Sequence, residues 1–259
     1  MKYALNDLAI EQQRVVRWLA SGPGKLFLRV EQSLLDKHLP RLFGVHLLQS
    51  SVLGSTDMCT ASPVNHRFFA VTVDQKAGQR TTISELEQLP LENDSVDVIV
   101  LQHVLEFSDD PHAVLREMYR VLRPEGRIVV LVFNPWSMLG LQQRLLRRFR
   151  ANAWRCHSIG GHRVTDWLQV LGFDVNSLDY CWYSPALSSD RLRNSMLKLE
   201  APLHRVLRPL GGASIVVATK KSATLIPIRK RWRELRPGLA VPAMKPTTQA
   251  AMTRKDKLQ

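Results

Sequence analysis

Residues 84–136 read SELEQLPLENDSVDVIVLQHVLEFSDDPHAVLREMYRVLRPEGRIVVLVFNPW, and this stretch decides the fold. Val96–Leu101 (VDVIVL) and Arg127–Phe133 (RIVVLVF) are short runs rich in β-branched residues, the pattern of buried strands. Between them, Asp110–Leu122 sets Ala113, Val114, Met118, Val121 and Leu122 on one helical stripe. Asp109 or Asp110 is placed to cap the start of that helix. Pro111 suits its first turn, where the N–H that proline lacks would have no partner. Pro124-Glu125-Gly126 then turns the chain into the next strand. Strand, helix, strand at this spacing is a βαβ unit, so the two strands lie parallel with a right-handed crossover.

The same texture extends outward on both sides. Upstream, Val45–Gln49 (VHLLQ) and Phe68–Val73 (FFAVTV) read as buried strands. Downstream come a short helix, Arg163–Leu171, ending at Gly172, then a strand at Asp174–Trp182 and a last strand at Ala213–Thr219. Residues 1–40 carry two helical runs. Leu5, Leu8, Ala9, Val15, Val16 and Leu19 form the first, which Gly22-Pro23-Gly24 is expected to stop; Leu26–Leu39 forms the second, closed by Pro40. The organisation expected is a helical extension at 1–41, an α/β domain at 42–221 and a tail at 222–259.

The chain has 259 residues, 45% hydrophobic and 23% charged, which excludes a mostly disordered or collagen-like protein. Three cysteines, Cys59, Cys156 and Cys181, are far apart, with no C-x-x-C pair. That spacing argues against a disulfide framework or a zinc site and fits a reducing compartment. The longest apolar run, Ile128–Phe133, is far short of the roughly 20 residues that span a bilayer. A cytoplasmic protein with no metal site is expected. Of the net charge of +13, seven charges sit in residues 222–259, where nine Lys/Arg face two acidic residues among four prolines. That composition predicts a disordered basic tail suited to an anionic partner. A second basic run, Arg144, Arg147, Arg148 and Arg150, is interleaved with Leu145, Leu146 and Phe149 as an amphipathic helix.

The central stretch resembles the class I S-adenosylmethionine-dependent methyltransferases of the small-molecule "type 11" kind. The matching elements come in order: Glu85 through Pro90, Asp94-Ser95-Val96-Asp97, Val104-Leu105 through Asp110-Pro111, and Leu122-Arg123-Pro124-Glu125-Gly126. Extended by the later helix and strand, the resemblance covers roughly residues 42–220, and the L-E-F-S-D-D-P-H and F-N-P-W-S phrases look closer still to an uncharacterised bacterial branch. It implies a three-layer Rossmann-like α/β fold, a mostly parallel sheet with an antiparallel final strand. It also implies S-adenosylmethionine held at the carboxyl ends of the first, second and fourth strands.

The resemblance implies cofactor contacts at Gln49, Ser50 and Gly54 after the first strand and at Asp74 after the second. Asp74 offers two acceptor oxygens to a ribose diol. Glu85 matches the acid facing the adenine amino group, and Leu101 and Gln102 end the fourth strand. Where the family carries a G-x-G-x-G loop, this chain has Ser50-Ser51-Val52-Leu53-Gly54, with one glycine. His103 is the candidate general base, because an imidazole takes up a proton near neutral pH, and Glu106 is a weaker alternative. The function expected is methyl transfer to an unidentified acceptor. The single glycine supports an alternative, a catalytically inactive binding or regulatory protein of the same fold. The basic helix and tail support another, a nucleic-acid-associated protein.

Overall fold

The computed structural model describes residues 5–54, 56–71, 81–83, 85–149, 157, 159–183 and 208–222. Seven strands form one sheet: β1 (His46–Ser51), β2 (His66–Val71), β3 (Thr81–Ile83), β4 (Val96–Gln102), β5 (Leu122–Phe133), β6 (Phe173–Cys181) and β7 (Ala213–Lys220). Their order is β3-β2-β1-β4-β5-β7-β6. The pairs from β3 to β5 are parallel, and only β7 runs antiparallel to its neighbours β5 and β6. This is the Rossmann-like α/β sheet expected, mostly parallel with an antiparallel final strand.

Alternation along the strands divides the apolar side chains between two cores. Leu47, Val98, Val100, Val129, Leu131, Ile215 and Val217 face one side; Leu48, Ile99, Leu101, Ile128, Val130, Val132 and Val216 face the other. A sheet buried on both faces needs helices on both, which makes the three layers. The first face is covered by α1 (Leu5–Leu19) and α2 (Gly22–His38), through Val15, Leu19, Phe27, Leu34 and Leu35. The second is covered by α3 (Pro111–Val121), through Val114, Leu115, Met118 and Val121, and by a later helix, Gly161–Val170, through Val164 and Leu168. A further helix, α4 (Met138–Phe149), precedes that later one, α5. The Asp110 carboxylate accepts from the N–H groups of His112 and Ala113 and so caps α3.

Three local expectations change. Gly22-Pro23-Gly24 starts α2 instead of merely stopping α1: Ser21 is the cap, its hydroxyl accepting from Gly24 N–H, and Pro23 lies in the first turn. Gly24 is also where the two helices meet, since a Cβ there would collide with the Trp18 carbonyl and the Leu19 backbone. Pro124-Glu125-Gly126 is a bend inside β5, with Glu125 at φ +63° and a register shift opposite Val96 and Val98. The edge strand β3 is an addition that hydrophobic patterning does not announce. Beyond Ser222, the basic tail lies outside the described residues.

One carboxylate joins three segments at the amino end of the sheet. Asp97 Oδ2 accepts from the N–H groups of Val45 and His46, both at 2.9 Å, and Oδ1 accepts from Arg123 at 3.1 Å. Burial works against its charge, but the His46 and Val45 N–H groups and the Arg123 guanidinium outweigh that and hold its pKa below the ordinary carboxylate value. A depressed folded pKa stabilises the fold above the unfolded value and loses that contribution as pH falls through the folded one. Asp97→Asn is therefore expected to lower the unfolding free energy at pH 7 by about 1–3 kcal/mol. It should also flatten the acid limb of stability below about pH 4, read by urea titration across pH 3–7.

Candidate active site

Ligands of open α/β sheets sit outside the carboxyl ends of the strands. At that edge β1 ends in Gln49-Ser50-Ser51, β4 in Leu101-Gln102 and β5 in Val132-Phe133. The register sets Ser51 beside Gln102, and the Ser51 hydroxyl donates to the Gln102 side-chain oxygen at 2.7 Å. The Gln102 amide nitrogen in turn donates to Glu31 at 3.1 Å. Glu31 comes from α2, so the N-terminal helix reaches into the strand ends.

His103 follows directly. Its Nε2 lies 2.8 Å from Glu31 Oε1 and its Nδ1 lies 3.1 Å from Glu106 Oε1. All three side chains are fully buried. The imidazole stacks on Phe133, with centroids 3.7 Å apart and planes 13° apart, and Phe27 of α2 packs against both rings. Glu106 Oε1 also accepts from Phe133 N–H at 2.7 Å. The backbone of His103 is left-handed, φ +51°, a conformation that β4 and β5 hold in place through His103 N–H to the Leu131 carbonyl.

This environment gives His103 a different part from the one its sequence position predicts. Burial disfavours its charge, yet the carboxylates of Glu31 and Glu106 outweigh burial and raise its pKa to about 10. An imidazole held protonated has no lone pair with which to act as a base. Between its two carboxylates His103 is a buried cation that fixes Glu31 and Glu106. Glu106 Oε2 is buried without a hydrogen-bond partner among the described residues. So is Trp182 Nε1, on a side chain whose ring packs edge-on against Phe27.

The other sequence candidates divide. Gln49 is buried and ties down the segment after β1, its amide nitrogen donating to the Thr56 carbonyl and its oxygen accepting from Met58 N–H. The Ser50 hydroxyl donates across the sheet to the Ala70 carbonyl of β2. Gly54 sits at φ +74°, in the left-handed region that glycine enters without strain, and closes a turn onto the Ser51 carbonyl. Leu101 is core. Glu85 is exposed, on a turn whose neighbour Leu89 donates its N–H to Glu117 of α3. Asp74 lies outside the described residues. The pattern missed Glu31; an acid at mid-helix amid the apolar positions Phe27, Leu34 and Leu35 was the available signal. Among the described residues no three His, Cys, Asp or Glu side chains are grouped to hold a metal, and no helix is long and apolar enough to cross a membrane.

With that geometry in place, similarity to known proteins bears on the domain. The model of the methyltransferase domain family matches residues 57–130, which span β2 through most of β5. Over that segment the chain is similar to methyltransferase domains. Its sheet superposes on an S-adenosylmethionine-dependent methyltransferase from Mesorhizobium loti with a TM-score of 0.52 at 15% identity, covering 73% of this chain and 96% of that one. A possible histamine N-methyltransferase from Thermotoga maritima gives 0.52 at 16% identity, covering 72% and 87%. Among curated proteins, the uncharacterised YafS of Escherichia coli is 32% identical over 152 residues, 59% of this chain and 62% of that one. A malonyl-[acyl-carrier protein] O-methyltransferase from Hahella chejuensis is 27% identical over 37% of this chain and 30% of its own length. The chain thus spans less than two thirds of the length of these curated relatives.

The buried imidazolium sets a pH dependence. A folded pKa raised above the ordinary 6.5 gives stability that is complete below that value and lost as pH rises towards about 10. The buried Cys59 thiol, pushed up to about 12 by burial and by Asp57, contributes only above its ordinary 9.0. Between pH 7 and 8.5 the fall in unfolding free energy is therefore expected to come from His103, and His103→Gln should abolish that slope in urea titrations. Breaking the buried pair should also cost about 3–5 kcal/mol.

Proposed function

We propose that the protein transfers a methyl group from S-adenosylmethionine to an acceptor at the carboxyl edge of the sheet. The observation that carries this reading is the cluster of polar side chains at the ends of β1 and β4, the β4 end lying inside the segment that matches the methyltransferase domain family. The chain's residues suit such a cofactor. Gly54 and the small Ser50 and Ser51 keep the turn after β1 free of bulk, Glu85 is exposed to accept from an amino group, and Gln102 ends β4. Gln49, Leu101 and Asp74 complete the proposed set, with Gln49 and Leu101 shaping the turn and the strand end from within the core. Two buried polar atoms, the Glu106 acceptor and the Trp182 donor, have no partner among the described residues and are left for a ligand.

The cofactor supplies a methyl group already activated on sulfur, so the protein's task is alignment and exclusion of water. Phe27, Phe133 and Trp182 line the cluster with aromatic surface and keep it dry. Glu31 holds Gln102 and His103 from α2, so the arrangement described is a closed one. Admission of a cofactor beside Gln102 then requires α2 to shift.

Calorimetric titration of the full chain with S-adenosylmethionine and with its demethylated product tests the proposal directly. Binding of both is expected, with amide exchange in α2 changing on saturation. Absence of heat and of exchange differences at millimolar ligand would reject it. Glu85→Ala should weaken binding by about 1–3 kcal/mol, the cost of a polar partner left unpaired, and an unchanged affinity would remove Glu85 from the site.

A further inference from the structure

We propose that a separate cavity, on the β5–β7–β6 side of the carboxyl edge, seats the methyl acceptor and selects an organic anion: a carboxylate or phosphate carried on a planar apolar body. Its role as acceptor site rests on the methyl-transfer reading; its preference for anions does not. The cavity has a volume of about 560 Å³, within the range of about 300–1,000 Å³ usual for small-molecule sites. Asn134, Pro135 and Trp136 form one wall as they leave β5, and Gly160 through Arg163 form a second at the start of α5. Tyr180 near the end of β6 and Pro209-Leu210 before β7 close it. All of these segments lie at the edge where α/β sheets take their ligands.

Charge decides what fits. Among the described residues no carboxylate lines the cavity, whereas Arg144 of α4 and Arg163 of α5 both do. Neither guanidinium is paired with an acid among the described residues. Arg144 lies 5.9 Å from the Trp136 ring and Arg163 lies 5.7 Å from the Trp167 ring. Stacking on an indole uses the face of a guanidinium and leaves its edge donors free, in the fork that grips carboxylate or phosphate oxygens. His162 adds an exposed imidazole between Arg163 and Tyr180. Burial raises the Tyr180 pKa, so its phenol stays neutral and adds no repelling charge.

Shape supplies the apolar half. Trp136 is 74% exposed although it borders a cavity, an indole face open for a planar group to stack on. The Asn134 side chain is already spent on the wall, its amide nitrogen donating to the Pro209 and Gly211 carbonyls and its oxygen accepting from Trp136 N–H. Gly161 has no room for a Cβ, which would stand 2.7 Å from Ser214 Oγ and 2.8 Å from a methyl carbon of Leu178. That contact presses the start of α5 onto β7 and sets His162 and Arg163 at the rim.

Equilibrium dialysis of the full chain against 2-naphthoate, 2-naphthyl phosphate and the neutral ketone 2-acetonaphthone tests the proposal. At low salt, at least one anion is expected to bind tenfold or more tightly than the ketone, and which one does so identifies the head group. The double variant Arg144→Gln/Arg163→Gln should erase that advantage, and Trp136→Ala should weaken all three probes. Equal binding of the three probes, or an anion preference that survives the double variant, would overturn it. Both guanidiniums are exposed, so the double variant should keep the wild-type unfolding midpoint; if it does not, the two single variants are expected to show intermediate losses, and an unchanged preference in both would overturn the proposal. Failure of this proposal and of the methyl-transfer reading are distinguishable. A protein that binds S-adenosylmethionine but treats the three probes alike loses only the anion site, and the reverse result loses only methyl transfer.

Discussion

A charged imidazole with a carboxylate at each ring nitrogen is the constraint around which the carboxyl edge is organised. His103 alone would not stay charged in a fully buried place, and Glu31 or Glu106 alone would be costly there. Together they convert three liabilities into a joint that locks α2, β4 and the turn after β4 to one another. Phe133 is fixed by the same joint, since its N–H is held by Glu106 and its ring stacks on the imidazole. Specific orientation is the benefit of such a cluster, because an apolar replacement would pack without dictating which rotation of α2 meets the sheet.

The middle of the fold was legible because its signals are local. Val96–Gln102 and Ile128–Phe133 are β-branched runs with helix α3 between them, and period, cap and breaker all agree. Agreement across levels is what makes a stretch readable. The three-residue strand β3 was not legible, since Thr81–Ile83 shows too little pattern to separate from its surroundings and owes its state to pairing with β2. Gly22-Pro23-Gly24 was read as an ending when it is a beginning: the same residues break one helix and open the next, and only Ser21 as a cap distinguishes the cases.

The site was legible in outline only. Sequence position identified Gln102 and His103 as residues at the end of a parallel strand, and the sheet places them there. It did not reveal their chemistry, because the group that sets the protonation of His103 lies 72 residues earlier, on α2. A histidine's ordinary pKa describes it in water; here its neighbours across the fold decide its state. Serine and glutamine at the end of β1 follow the same rule, for their hydrogen bonds run to β2, to β4 and to the segment after β1, contacts that come into being only with the sheet.

The turn carrying Glu85 is moored from outside the sheet. Arg120 of α3 donates to the carbonyls of Leu89 and Leu91 and to the side chain of Asn93, while its neighbour Glu117 accepts from Leu89 N–H. Two side chains on the solvent flank of one helix thus hold the whole connection that leads into β4. Such a connection behaves as a removable insert: its length and composition can drift, provided that its carbonyls still reach one guanidinium. The composition of that corner is thereby uncoupled from the packing of the sheet, and a lineage could retune one without endangering the other.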